Sequence, residues 1–436
     1  MKSLDHIPTH KIERAGKLVT TGLKIGGNYL KYYGKKVVDS SVDRSSLDQD
    51  NAKDIYDGLK ELKGSALKMA QMLSMEKNLM PQAYVEQFSL AQFSVPPLSG
   101  PLARKIIQKY LGAAPEVVFD SFTIESVNAA SIGQVHRAEK NEKKLAVKIQ
   151  YPGVSDSIQS DLSIVKPIAV RMFNLQGQDT DKYFREIEEK LLEETDYTLE
   201  LQRSQEISEA CAALPGLKFP NYYPEWSTQK ILTMDWMEGL HIGEYVQSDQ
   251  QNPEKNNRIG QALWDFYMFQ MHHLRQVHAD PHPGNFLVDS EGNLVVIDFG
   301  CVKNLPDDFY DPYFALSKKE NLEHMEVFEN LLRTLEILLP TDGPKEEKYF
   351  KTIFHHMMEL FTRPFHYDRF DFGNPDFWNG IARLSEELSE DSQLRQMNGS
   401  RGSKHFLYIN RTFFGLYNLL HDLKAEVDVY NYMRFV

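Results

Sequence analysis

Cysteine is scarce. Cys211 and Cys301 are the two in 436 residues, too few for a disulfide framework. With no secretory pattern at the start, a reducing, cytoplasmic setting is the expectation. No run approaches eighteen uninterrupted apolar residues, so no helix is expected to span a bilayer, and membrane contact would have to be peripheral. Positive charge is also in deficit. A net charge of −13 argues against a general nucleic-acid binder. No 20–50-residue period repeats, which excludes solenoid and propeller arrays. The deficit is uneven, because residues 1–38 hold eight Lys and Arg against Asp5 and Glu13, leaving −19 on the remainder.

At this length and 42% hydrophobic content the chain can bury one or two large cores. The expected division is a basic N-terminal segment and linker at 1–50, a helical extension at 51–115, a β-rich part with inserted helices at 116–238, and a helical part at 239–436. Between Ile12 and Val38 the apolar spacing is loosely helical, and Gly16, Gly22, Gly26 and Gly27 weaken it. Such a basic, weakly amphipathic segment suits either an anionic membrane surface or a solvated tail. Ser40–Asp50 reads as a linker. From Asn51, Ile55, Leu59, Leu62, Leu67, Met69 and Leu73 are spaced as one side of a long helix. Gly64 is expected to cost it little, and Lys68 and Gln71 project together from it. Helices are also expected over Tyr84–Phe93 and Leu102–Leu111, between prolines.

Near Phe119 the period becomes strand-like. Ser126–Ala138 reads as strand, small-residue turn and strand, with Leu145–Gln150 as the next partner. Small side chains at such a turn let backbone N–H groups approach phosphate oxygens, and Lys148 one strand later can reach the same phosphates. Asp181–Ile207 reads as one highly charged helical stretch. A glutamate on its buried side would pair with Lys148, Glu194 first and Glu188 second. Lys230–Gly239 is an apolar strand ending at glycine, where Met234 and Trp236 would offer backbone groups to an adenine.

The stretch His278–Gly300, HADPHPGNFLVDSEGNLVVIDFG, carries the chemistry. Phe286–Val288 and Leu294–Ile297 read as a hairpin around a turn at Asp289–Asn293. That pairing sets Asn285 beside Asp298, two oxygen ligands suited to Mg²⁺. Asp280 lies five residues before Asn285, and Asp-x4-Asn followed by a strand and Asp-Phe-Gly is protein-kinase-like spacing. A rival is a metal cluster of His278, Asp280 and His282, which Pro281 and Pro283 disfavour. Beyond Gly300, Leu305-Pro306 ends the loop early, and the rest reads as all-helical.

Together these residues resemble the UbiB/AarF-type atypical kinases, protein-kinase-like proteins linked to coenzyme Q. Lys68-Met69-Ala70-Gln71 is similar to the family's Lys-x-Gly-Gln element, and Asn128–His136 to its alanine-rich nucleotide loop. Glu194-Thr195-Asp196 resembles its Glu-x-Asp motif, and His278–Asn285 with Asp298-Phe299-Gly300 its catalytic core. The resemblance implies an α+β, two-lobed kinase-like fold, with an extension carrying Lys68 and Gln71 over the active site. It also implies ATP and Mg²⁺ as cofactors, and ATP hydrolysis or phosphorylation of a lipid or quinone-precursor small molecule ahead of protein phosphorylation. Lys68, Gln71, Ala129, Ala130, Ser131, Val135, Lys148, Met234 and Trp236 would bind nucleotide. Asn285 and Asp298 would hold the metal, Glu194 would orient Lys148, and Asp280 would take the nucleophile's proton. Ala70 and Asn128 depart from the family pattern and bear on gating and nucleotide preference. A soluble small-molecule phosphotransferase and a non-catalytic, nucleotide-gated lipid-binding module are the alternatives.

Overall fold

The computed structural model describes residues 11–38, 45–62, 64–74, 83–84, 87, 97–172, 178–390 and 401–435. The chain divides into two compact units, Met1–Gln202 with Asn221–Trp236, and Arg203–Pro220 with Met237–Val436. The fold is α+β, two-lobed and kinase-like.

The first unit opens with three helices, α1 (Lys11–Val38), α2 (Ser45–Leu62) and α3 (Gly64–Ser74). Three expectations are corrected here. α1 is a continuous helix despite its glycines, tied to α2 through the Asn28 amide, which donates to Asn51 and Asp54; tertiary contact offsets poor propensity. The linker reading fails over residues 45–50, which are helical, while 39–44 lie outside the described residues. The long helix from Asn51 is two helices, because Gly64 takes φ +65°, a left-handed conformation that glycine tolerates. Its N–H donates 2.8 Å to the Ser131 carbonyl instead of continuing α2. A fourth helix, α4 (Gly100–Leu111), fills the expected segment at 102–111. Most of the segment expected helical at 84–93 lies outside the described residues.

The sheet of this unit runs β1 (Ser121–Phe122), β3 (Gly133–Lys140), β4 (Lys143–Gln150) and, after the chain has passed through β5 (Leu217–Lys218), β6 (Ile231–Asp235); β2 (Asn128–Ala129) pairs with β3. β-branched residues on the pleated surface bury one face, with Val147, Ile149 and Ile231 packing against Ile107 and Phe119. Helices α5 (Val154–Met172) and α6 (Gln178–Glu194) form a second apolar cluster with α2 and α3, through Leu59, Leu67, Met69, Ile158, Phe184 and Leu191.

The charged stretch from Asp181 is not one helix, which is a fourth correction. α6 stops at Glu194 and α7 (Tyr197–Cys211) restarts three residues on. Asp196 makes the restart, its carboxylate accepting the N–H groups of Thr198 (3.0 Å) and Leu199 (3.4 Å) as a helix N-cap does. The Thr195 carbonyl is held from outside by Gln150 Nε2 (2.9 Å) and Lys230 Nζ (3.1 Å).

In the second unit β5 pairs parallel with β10 (Leu294–Val296), followed by β9 (Phe286–Val288) and β7 (Leu240–His241). This pairing is why residues 203–220 group with the C-terminal residues. Helix α8 (Pro253–Phe269) starts at an Asn252 cap and passes into a wider turn at Gln270–Leu274, which Arg275 ends at φ 54°. It threads the core through Trp264, Phe266 and Tyr267, which pack with Phe286, Phe299, Leu416 and Tyr417. Helices α9 (Asp307–Ala315), α10 (Met325–Thr334), α11 (Pro344–Phe361), α12 (Pro375–Glu390) and α13 (Lys404–Asp422) complete it. A small sheet pairs β8 (Gln276–His278) with β11 (Val302–Asn304), and the all-helical reading of the C-terminal part is corrected by a second, β12 (Arg369–Asp371) with β13 (Glu426–Asp428). Among the described residues no helix is long and apolar enough to cross a membrane.

Candidate functional site

In the first unit, strand register sets Lys148 opposite Val135 on β3 and Leu232 on β6. Its Nζ lies 2.6 Å from Glu200 Oε1 and 5.0 Å from the centre of the Tyr197 ring. The expected partner, Glu194, is corrected. It binds Lys68 instead, at 2.9 Å. The helix break is the physical reason, since Glu194 ends α6 while Glu200 sits on α7, and one helix face cannot present both. Each glutamate is more than nine-tenths buried, so each lysine is needed to neutralise it. Glu200 was therefore missed; its signal was Asp196, whose capping chemistry marks a new helix start. The Gln71 side chain lies outside the described residues.

The small-residue loop closes through Ala130 N–H to the Gly133 carbonyl, 2.8 Å. Ala130 therefore spends its donor within the turn. A Cβ on Gly133 would sit 2.7 Å from both the Ile149 carbonyl and the Tyr197 hydroxyl, which puts Tyr197 beneath both the loop and Lys148. Ala129 precedes the turn and Ser131 lies inside it, and the Ser131 carbonyl holds α3 through Gly64. Met234 joins Ala146, Tyr197, Tyr222 and Leu232 in an apolar cluster, with Val135 and Trp236 at its margin. The Trp236 backbone N–H donates to the Lys144 carbonyl at 2.8 Å, and its ring stacks under Arg137.

In the second unit the expected hairpin forms with Phe286 opposite Val296, a register that sets Asn285 across from Ile297, whose N–H donates to the Asn285 carbonyl, and not across from Asp298. Asn285 Nδ2 donates to the Asp280 carbonyl (2.9 Å) and to Asp280 Oδ2 (3.3 Å). The Asp298 carboxylate accepts Gly300 N–H at 2.9 Å. Phe299 is fully buried, 5.8 Å from the His278 ring. Strands β8 and β11 join the two loops, reinforced by Ala279 N–H to the Cys301 carbonyl.

The histidine-cluster alternative does not fit. His278 is buried beside the Tyr267 hydroxyl, and His282 Nδ1 accepts Gly284 N–H within its own turn. Among the described residues no group of three or more His, Cys, Asp and Glu could hold a metal. Asn285 and Asp298 carry side-chain oxygens of the kind a hard cation takes. With the Asn285 amide nitrogen engaged by Asp280, the oxygen is the end left to offer, and a metal that keeps waters needs only one or two such ligands. Tyr267 remains a neutral phenol, its ionisation pushed well up by burial and then by the Asp280 charge.

A lysine fixed by a helix glutamate in one unit, and an acid, an amide and an Asp-Phe-Gly on one loop-and-hairpin stretch in the other, is the division of labour of protein-kinase-like proteins. Residues 90–323 match the ABC1 atypical kinase-like domain, and the chain belongs to that family. It is 31% identical over 281 residues to the chloroplastic protein Activity of bc1 complex kinase 8 of Arabidopsis thaliana, covering 62% of this chain and 37% of that one. With Activity of bc1 complex kinase 7 of the same plant it shares 29% over 395 residues, 88% and 53% of the two chains. The mitochondrial atypical kinase COQ8 of Saccharomyces cerevisiae is 30% identical over 282 residues, 64% and 54%. The chain thus spans between a third and two thirds of the length of these relatives. In fold it is similar to the solved complex of Rv3197 with erythromycin from Mycobacterium tuberculosis, with a TM-score of 0.60 and 23% identity, over 86% of this chain and 93% of that one.

Proposed function

We propose that this chain is an atypical kinase-like enzyme that binds Mg-ATP and transfers its terminal phosphoryl group to a lipid or quinone-precursor alcohol, or to water, in support of isoprenoid-quinone or lipid metabolism. Lys148, held by Glu200, takes the nucleotide's α- and β-phosphate oxygens. Asn285 and Asp298 hold magnesium, which when bound neutralises phosphate charge. Asp280 accepts the proton of the attacking hydroxyl. The observation that carries the reading is the Asn285 amide bound to both the backbone and the carboxylate of Asp280, which links the base to the metal-binding end of the hairpin. Lys68, paired with Glu194, belongs to the helical extension and bears on access.

A lipid-side acceptor is favoured by α1, which exposes Leu30 and Tyr33 beside Lys24, Lys31, Lys35 and Lys36. Apolar residues among lysines suit peripheral contact from the cytoplasmic side with an anionic surface, each lysine adding about 1 kcal/mol. Steady-state ADP release in the presence of Mg²⁺ tests the enzyme, with anionic liposomes or quinone-like phenols added as stimulants. Turnover that rises with either additive supports it. Tight nucleotide binding without turnover favours the nucleotide-gated module, and turnover with soluble alcohols alone favours a small-molecule phosphotransferase.

A further inference from the structure

The C-terminal helix α13 lies beyond the matched domain, yet it touches the loop that carries Asp280. Tyr408, Arg411 and Gly415 recur at intervals of three and four, which puts them on one face of that helix. Lys303, just past Asp-Phe-Gly on β11, sits over the Tyr408 ring at 5.0 Å. Arg411 Nη2 lies 3.8 Å from Asp280 Oδ1. Gly415 packs on Pro281 so closely that a Cβ there would collide with the proline ring. The helix has little freedom to withdraw. Tyr313 donates to Asn410 (2.7 Å), Tyr417 donates to the Phe361 carbonyl (2.9 Å), and Leu416 and Leu420 are fully buried.

The Asp280 carboxylate is therefore approached from two sides. Its Oδ2 accepts the Asn285 amide and its Oδ1 faces the Arg411 guanidinium, so rotation about the bond to the carboxyl carbon is restrained at both ends. We infer that Arg411 is a positioning residue, which sets the orientation in which Asp280 receives the acceptor's proton. A fully exposed pair at this distance would contribute little. Here both side chains are mostly buried, at 19% and 28% exposure, and Gly415 fixes the spacing of helix and loop.

The inference rests on the enzymatic reading for its kinetic consequence but not for its structural one, so the full chain is measured both ways. In R411Q, kcat for Mg-dependent ADP release should fall roughly 10- to 100-fold, while affinity for a fluorescent Mg-ATP analogue stays within about threefold of the parent. Hydrogen exchange in a peptide covering residues 278–285 should accelerate, with peptides of the first unit unchanged. R411K should recover part of kcat and of the protection, since it restores the charge without the fork. G415A should accelerate exchange in the same peptide. Wild-type kcat in R411Q, or unchanged loop exchange, overturns the inference. If R411Q does not fold, R411K decides, because wild-type turnover and protection in it count against a guanidinium-specific role, and an intermediate value in both supports one. If the parent shows no turnover, the proposed function fails, and loop exchange alone judges the role of Arg411.

Discussion

The two units hold their site residues in opposite ways. In the first, each reactive cation is balanced by a buried glutamate from a distant element, Lys148 by Glu200 and Lys68 by Glu194. In the second, Asp280, Asn285 and Asp298 come from one short stretch and are held mainly by amides and backbone N–H groups. The first half depends on charge balance between separate helices and strands. The second depends on loop geometry inside an apolar core, where Phe299 and His278 anchor the loops from below. Removing one charge should therefore disturb binding in the first unit, and chemistry in the second.

The largest effect is expected in the second unit. Asp298→Asn keeps the shape but removes an anionic oxygen, and should lower Mg-dependent ATP turnover by roughly a thousandfold, about 4 kcal/mol. Turnover and Mg-dependent binding that persist in this variant would remove the metal role. The next effect separates the two ion pairs of the first unit. Glu200→Gln should weaken nucleotide binding as much as Lys148→Ala does, about 10- to 100-fold, and cost about 3 kcal/mol of stability by leaving a buried lysine unbalanced. Glu194→Gln should instead match Lys68→Ala. A double-mutant cycle between Lys148 and Glu200 should show at least about 1 kcal/mol of coupling, and one between Lys148 and Glu194 under about 0.5. Coupling in the reverse order breaks the comparison drawn here.

This contrast explains what could be read from sequence. Asn285 and Asp298 flank the strands of one hairpin and Asp280 lies just upstream, so turn chemistry and strand period were enough to expect the hairpin, whose register sets Asn285 across from Ile297. Lys148 was legible as a strand lysine after a small-residue turn. Its partner was not. Helical periodicity treats Asp181–Ile207 as continuous, and the Thr195 carbonyl is bound by Lys230 and Gln150, which come from a different strand and a different part of the chain. Lys230 accepts that position at a cost, its pKa lowered by burial. Gly64 was misread for the same reason, because its left-handed φ is rewarded by a bond to Ser131, 67 positions away in a segment whose placement no local pattern reports. Arg411 was invisible because nothing on a helix face names the loop it will meet.

The last contrast concerns two buried histidines, one in each unit. In the first, His136 Nδ1 donates to the Thr123 carbonyl and its Nε2 accepts from Gln134, and burial lowers its pKa while that carbonyl partly opposes the shift. In the second, His272 meets the Tyr310 hydroxyl at 2.5 Å, and burial together with the nearby Arg275 pushes its pKa down to about 3. Both are neutral when folded, so the unfolded chain binds the extra proton first. Their stabilisation is complete above the unfolded value of 6.5 and is lost as pH falls below it; for His272 the loss continues to about pH 3, at about 1.4 kcal/mol per pH unit. Denaturant midpoints measured from pH 7 to pH 4.5 should therefore decline. His272→Asn should start lower and decline less steeply, the gap between the two proteins narrowing as the pH drops. A variant that keeps the parent's slope would show that the acid sensitivity arises elsewhere, and that the second unit is no more exposed to acid than the first.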